Sequence, residues 1–65
     1  MKLIVNGEDR DIEGPTLAAA LAALDYADAK VATAVNGEFV PARLREGVRL
    51  NEGDRIEIVS PRQGG

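Results

Sequence analysis

The sequence predicts a small α+β domain, in which short strands form one sheet and a single helix covers one of its faces. Two observations lead to this fold class. Asn-Gly pairs at residues 6–7 and 36–37 each separate two runs of strand-forming residues, as in β-hairpins. Between the two pairs, apolar residues repeat with helical spacing. Because one helix can cover only one face of the sheet, the other face must meet water or a partner.

The first hairpin joins a strand at residues 1–5 to a weakly apolar strand at about residues 8–12. A type I′ turn requires positive φ at both central residues, and Asn6-Gly7 is typical of such turns. Gly14-Pro15 then interrupts the second strand.

The helix is predicted to start at Leu17, with Thr16 as its N-cap, and to end near residue 25 or 26. Alanines fill most of the positions between its leucines, and alanine is the best helix former. We expect the helix to pack on the sheet through one face. That face holds the residues at i, i+3, i+4 and i+7, which are Leu17, Ala20, Leu21 and Leu24.

The second half of the chain reads as two more strands of a hairpin and one last strand. The hairpin pairs residues 31–35 with residues 38–40, and Pro41 ends it because proline cannot donate to a ladder. Residues 43–50 are predicted to be irregular or to form a short turn. A strand at residues 55–59 follows the turn at 51–54, and residues 61–65 show no fold-forming pattern.

Composition excludes several classes of function. The 65 residues are enough for one domain, and 45% hydrophobic residues are too many for a disordered chain. The absence of Cys and His excludes disulfides, thiolate nucleophiles, Cys/His zinc sites and imidazole catalysis. The net charge of −3 argues against nucleic-acid binding. No apolar run is long enough for a membrane span or a signal peptide, so we expect a cytoplasmic protein with no membrane partner.

The residues after the last strand are the main candidates for chemistry. Pro61 prevents the ladder from continuing, and the five residues 61–65 can extend about 16 Å. Because Gly64 and Gly65 lack side chains, this tail can thread a narrow channel in a partner. The reactive group would be the carboxylate of Gly65, which ATP can convert to an acyl adenylate. The catalytic groups would then belong to the partner, so the chain is expected to be a carrier and not an enzyme.

The combination and spacing of several segments resemble one family. The segments are MKLIV at 1–5, GPTL at 14–17, VNGEFVP at 35–41, GDRIEIV at 53–59 and GG at 64–65. With them, the whole chain resembles the ThiS-type sulfur carriers of thiamine biosynthesis, which have the ubiquitin-like β-grasp fold. The resemblance implies a mixed sheet of four to five strands with the first and last strands central. It also implies one main helix and a flexible tail at residues 60–65, all in a single domain of residues 1–65.

The resemblance also implies a reaction sequence. A ThiF-like enzyme adenylates the carboxylate of Gly65 with ATP, sulfur from a cysteine desulfurase gives a thiocarboxylate, and thiazole synthase accepts that sulfur. Gly64 provides clearance, and Gln63 and Arg62 enter the partner with it. The chain itself would bind neither metal nor cofactor, and the partner would use the ATP. The polar residues before Gly64 leave the identity of the activating partner open.

An exposed apolar patch is predicted on the face of the sheet away from the helix. In a two-residue hairpin at Asn36-Gly37, Ala34 pairs with Phe39. By analogy with ubiquitin-like proteins this pair lies on the open face, where period-2 alternation also places Ile4 and Val59. Such a patch is typical of a partner site. The alternative is that Phe39 belongs to the core.

Other interpretations remain open at this point. The chain could be the small subunit of molybdopterin synthase, which uses the same terminal chemistry. It could instead belong to a different functional class, as a protein modifier or a β-grasp interaction domain. The carboxylates at residues 8–13 could suggest a metal cluster, although they are more typical of a solvated edge strand. Arg43, Arg45 and Arg49 could meet an acidic partner, although scattered surface arginines are more common.

Overall fold

The computed structural model describes residues 1–26 and 30–60. One mixed sheet of five strands carries the fold, in the order β2-β1-β5-β3-β4. The central pair β1 and β5 is parallel and the other pairs are antiparallel. The strands are β1 (Lys2–Val5), β2 (Glu8–Asp11), β3 (Ala32–Val35), β4 (Glu38–Val40) and β5 (Arg55–Val59). This confirms the predicted mixed sheet with its first and last strands side by side.

Both Asn-Gly pairs form the predicted hairpin turns. Asn6 and Gly7 have φ of 50° and 83°, and Asn36 and Gly37 have φ of 51° and 86°. All four values lie in the left-handed region that a type I′ turn requires. The register of the second hairpin places Ala34 opposite Phe39, as predicted.

Helix α1 (Leu17–Ala23) covers one face of the sheet. The hydroxyl of Thr16 accepts a hydrogen bond from the backbone N–H of Ala19 at 3.2 Å, which confirms the N-cap. The helix ends earlier than the alanine-rich sequence predicts. Asp25 has a φ of 69°, so the helical backbone cannot continue through it.

The core lies between α1 and the sheet. Leu3, Leu17 and Ile56 are at most 1% exposed, and Leu24 packs against the core while remaining half-buried. This confirms the prediction that α1 packs on the sheet through the face of Leu17, Ala20, Leu21 and Leu24. The buried apolar residues are Leu3, Val5, Ile12, Leu17, Ala20, Leu21, Val40, Leu50, Ile56 and Ile58.

A 3-10 helix (Ala42–Gly47) occupies much of the segment that the sequence predicts to be irregular or a short turn. It contacts α1 and so extends the helical layer over the same face of the sheet. Gly14 is required where the chain turns into α1, because its φ is +143° and a Cβ there would lie 2.8 Å from the Cβ of Ala19. None of the helices in the described residues is long and apolar enough to cross a membrane.

Candidate functional site

The open face of the sheet is built around β5, the central strand. Ile56 and Ile58 are buried towards α1, whereas Arg55, Glu57 and Val59 are exposed on the opposite side. This alternation follows the two-residue period of a strand and confirms the predicted faces. Because α1 and the 3-10 helix both lie on the other side of the sheet, nothing within the described residues covers this surface.

Phe39 lies on the open face. It is 69% exposed, so the alternative that places it in the core is wrong. Its position follows from the hairpin register, since Ala34 pairs with both Phe39 and Glu57 and therefore sets all three on one side. Val59 is 62% exposed, and Ala32 lies opposite it on β3. Two large apolar side chains are thus held in water by strand alternation alone.

The predicted patch consists of two adjoining shallow depressions that share Glu57 and Val59. Ile4 reaches only the first depression and is half-buried, so Phe39 and Val59 supply most of the exposed apolar surface. The first is lined by Ile4, Asn6, Gly7, Arg55, Ile56, Glu57 and Val59. The second is lined by Ala32, Thr33, Ala34, Phe39, Glu57 and Val59.

The end of β5 is held on both sides just before the predicted tail begins. On one side Val59 pairs with Ala32 of β3. On the other, the side-chain amide of Asn6 accepts from the N–H of Ile58 at 2.8 Å and donates to its carbonyl at 3.2 Å. The chain therefore leaves the sheet from a fixed point beside the patch. The predicted tail residues Arg62, Gln63, Gly64 and Gly65 lie outside the described residues.

Arg45 has a structural role that the sequence does not reveal. Its guanidinium donates to the hydroxyl of Thr33 at 3.1 Å and to the carbonyl of Val31 at 2.6 Å. Thr33 in turn donates to the carbonyl of Val40 at 2.8 Å and is only 2% exposed. This network joins the 3-10 helix to β3 and β4. No local pattern distinguishes Arg45 from Arg43, which is exposed.

The carboxylates of the first hairpin remain in solvent. All four residues of β2 are exposed at the edge of the sheet. Within residues 1–26 and 30–60, no group of three or more acidic residues is arranged to hold a metal ion. The open face and the end of β5 are therefore the features of the described chain that bear on a partner.

Comparisons with known proteins agree with this architecture. A family model described as the ThiS family matches residues 3–65. The crystal structure of the thiamine biosynthesis protein ThiS from Geobacter metallireducens superposes with a TM-score of 0.83 at 29% identity, covering 100% of both chains. A thiazole synthase from Paramagnetospirillum magneticum is 41% identical over 66 residues, which cover 100% of this chain but 20% of that protein. The chain thus spans about a fifth of that relative's length.

The family match extends from the second residue of β1 through the two terminal glycines. The superposition with the Geobacter metallireducens ThiS structure covers the whole chain, in agreement with the mixed sheet and single main helix described above. The interpretation of the chain as a carrier, and not a catalyst, rests on the same match. The chain belongs to the ThiS family of small β-grasp sulfur carriers.

Proposed function

We propose that this chain carries sulfur for thiazole formation in thiamine biosynthesis as a thiocarboxylate on Gly65. One observation carries the proposal: the ThiS family match includes Gly64 and Gly65, which follow the fixed end of β5. The ThiS structure from Geobacter metallireducens and the name of the thiazole synthase relative support the pathway. The same matches favour it over the molybdopterin branch and over a protein modifier.

Activation begins at the carboxylate of Gly65. A carboxylate oxygen attacks the α-phosphorus of ATP in a ThiF-like enzyme, pyrophosphate leaves, and an acyl adenylate forms. The terminal sulfur of a cysteine persulfide then attacks the acyl carbon and AMP leaves, which gives an acyl disulfide. A second thiol attacks the persulfide's inner sulfur and forms a disulfide with it, so that the S–S bond breaks and the outer sulfur stays on Gly65 as a thiocarboxylate. Because activation consumes ATP, this step belongs in the cytoplasm. In the proposed pathway, sulfur comes through a cysteine desulfurase and passes to thiazole synthase.

Glycines at positions 64 and 65 suit this chemistry because they present no side chains to the channel that must admit them. Gln63 and Arg62 precede them and would enter the same channel. The Asn6 amide and β3 hold β5 up to Val59. The domain can therefore stay outside the partner while the tail reaches its active site.

The activating enzyme is proposed to dock on the open face, at Phe39, Val59 and Ile4. Phe39 is exposed on the edge strand β4 and Val59 is exposed on the central strand β5, and both side chains line the second depression. Burying such side chains is a main source of binding free energy at protein interfaces, and exposed aromatic residues are common anchors. The patch lies next to the point where β5 ends, so one surface can both bind the domain and receive the tail.

Adenylation of a tail-extended protein tests this function. We expect pyrophosphate release by the ThiF-like enzyme to require the unmodified chain and to be abolished when one alanine is appended after Gly65. The extended protein should keep its melting temperature, because the added residue lies beyond the sheet. Pyrophosphate release from an extended protein whose intact mass shows no processing would overturn the proposal.

A further inference from the structure

We propose that Glu57 is a recognition residue of the open face, and that the partner surface that covers Phe39 and Val59 presents an arginine to it. This inference rests on the proposed function, because it specifies the chemistry of the activating enzyme's docking surface. Glu57 lies on the central strand and is exposed. It lines both depressions of the patch, together with Val59.

On the side of β3 and β4, the neighbours of Glu57 across the sheet are apolar. Ala34 pairs with it on β3, and Phe39 lies beyond Ala34 on β4. Val59 is two residues further along β5 and therefore on the same face. The carboxylate of Glu57 thus lies at the border of the apolar surface formed by Ala34, Phe39 and Val59, with Asn6 and Arg55 in the depression on its other side.

The strand registers place Lys2 and Arg55 on this face, and Arg55 lies two residues before Glu57 on β5 and lines the first depression with it. Lys2 pairs with Asp11 in the register of β1 and β2. Arg55 pairs with Ile4, whose other neighbour is Asp9.

Arg55 does not form an ion pair with Glu57, and within residues 1–26 and 30–60 no cationic nitrogen lies within 4.0 Å of the Glu57 carboxylate. The two ion pairs of the described chain join the Met1 ammonium to Asp11 and Arg10 to Glu8.

A partner that buries Phe39 and Val59 must also remove water from Glu57. A carboxylate that is buried without a partner costs several kcal/mol, whereas one paired with a well-placed cation does not carry that full cost. Arginine suits this site better than lysine, because its planar guanidinium can bind the carboxylate through two hydrogen bonds and stack on an aromatic ring. The ring of Phe39 lines the same depression as Glu57. Glu57 would therefore select against partners whose matching surface is wholly apolar or acidic.

The test is a binding titration with the ThiF-like enzyme and a matched pair of charge reversals. Glu57→Lys reverses the charge on the open face. Glu38→Lys makes the same change on an exposed strand residue that faces the other way, next to Phe39 in sequence and opposite Val35. We expect Glu57→Lys to weaken binding by at least about 30-fold and Glu38→Lys by less than about threefold. Glu57→Gln should also weaken binding, and it should reduce the dependence of affinity on salt.

The outcomes separate the inference from the proposed function. If Phe39→Asp abolishes binding but Glu57→Lys and Glu57→Gln bind like the original protein, the inference is wrong and the docking surface stands. If the two lysine variants weaken binding equally, the effect is one of net charge and the inference is again wrong. If neither Phe39→Asp nor Glu57→Lys affects binding, both proposals fall. Because Glu57 is exposed, none of its variants should change the melting temperature by more than a few degrees.

Discussion

The side chain of Asn6 extends the parallel ladder between β1 and β5 by binding both backbone groups of Ile58, accepting at 2.8 Å and donating at 3.2 Å. Asn36 binds the start of β5 in a similar way. Its side-chain amide accepts a hydrogen bond from the N–H of Arg55 at 3.0 Å and donates one to the carboxylate of Asp54 at 3.1 Å. Each asparagine thus forms a turn and also fixes the central strand. The strand that leads into the tail is held at both ends by side chains of the two hairpins.

Replacing Asn6 with glycine separates these two roles, since glycine accepts the positive φ of the turn but has no amide. We expect Asn6→Gly to lower the free energy of unfolding by about 1–2 kcal/mol, because two partly buried hydrogen bonds are lost. Urea denaturation measures this change. Hydrogen exchange should show faster exchange of the Ile58 amide in particular. Unchanged protection at Ile58 would mean that the amide does not hold the strand.

The packing of α1 predicts that substitutions at Leu21 strongly lower the free energy of unfolding, because Leu21 is only 3% exposed in the core. Leu21→Ala should lower the free energy of unfolding by about 2–5 kcal/mol, because it removes buried methyl groups and leaves a cavity. Leu44→Ala is the matched control, since Leu44 is 50% exposed in the 3-10 helix and should cost less than about 1 kcal/mol. Thermal or urea melts of both variants compare them. Similar losses would show that the apolar face of α1 is assigned wrongly.

The Thr33 network predicts unequal roles for two nearby arginines. Arg45→Ala should cost about 1–3 kcal/mol, because the carbonyl of Val31 and the hydroxyl of Thr33 each lose a donor. Arg43→Ala removes an exposed side chain and should change the free energy of unfolding by about 0.5 kcal/mol or less. Denaturant titrations of the two variants provide the comparison, and equal effects would contradict the structural role of Arg45.

The exposure of Phe39 predicts that a charge is tolerated there in the free protein. Phe39→Asp should leave the melting temperature within a few degrees of the original, because the side chain is 69% exposed. Affinity for the ThiF-like enzyme should fall by about 30-fold or more, as for an anchor residue of an interface. Isothermal titration and a thermal melt on the same preparation measure both quantities. Unfolding of the variant would contradict the described exposure, and unchanged affinity would remove Phe39 from the docking surface.

Those features that depend on short-range patterns could be predicted from the sequence. Two Asn-Gly turns fix the hairpin registers, and the register of Ala34 with Phe39 is sufficient to place that phenylalanine in water. The leucine spacing identifies the buried face of α1. In each case the interacting residues lie within a few positions of one another or repeat with the period of a single element.

Features that depend on contacts between distant segments could not be predicted. Asn6 meets Ile58 across 52 positions, and the turn signal at Asn6-Gly7 is complete without that contact. Arg45 meets Thr33 and Val31 only because the 3-10 helix folds back over β3. The sequence also does not predict where α1 ends, since nothing in the local pattern indicates that Asp25 adopts positive φ.

The intact mass of the chain after activation tests the central claim most directly. The protein is incubated with the ThiF-like enzyme, ATP and sulfide, in conditions under which that enzyme converts its own carrier. The account predicts a gain of about 16 Da, from replacement of one oxygen of the Gly65 carboxylate by sulfur, and localisation of that gain to the terminal peptide. An unchanged mass, or a gain located anywhere other than Gly65, would contradict it.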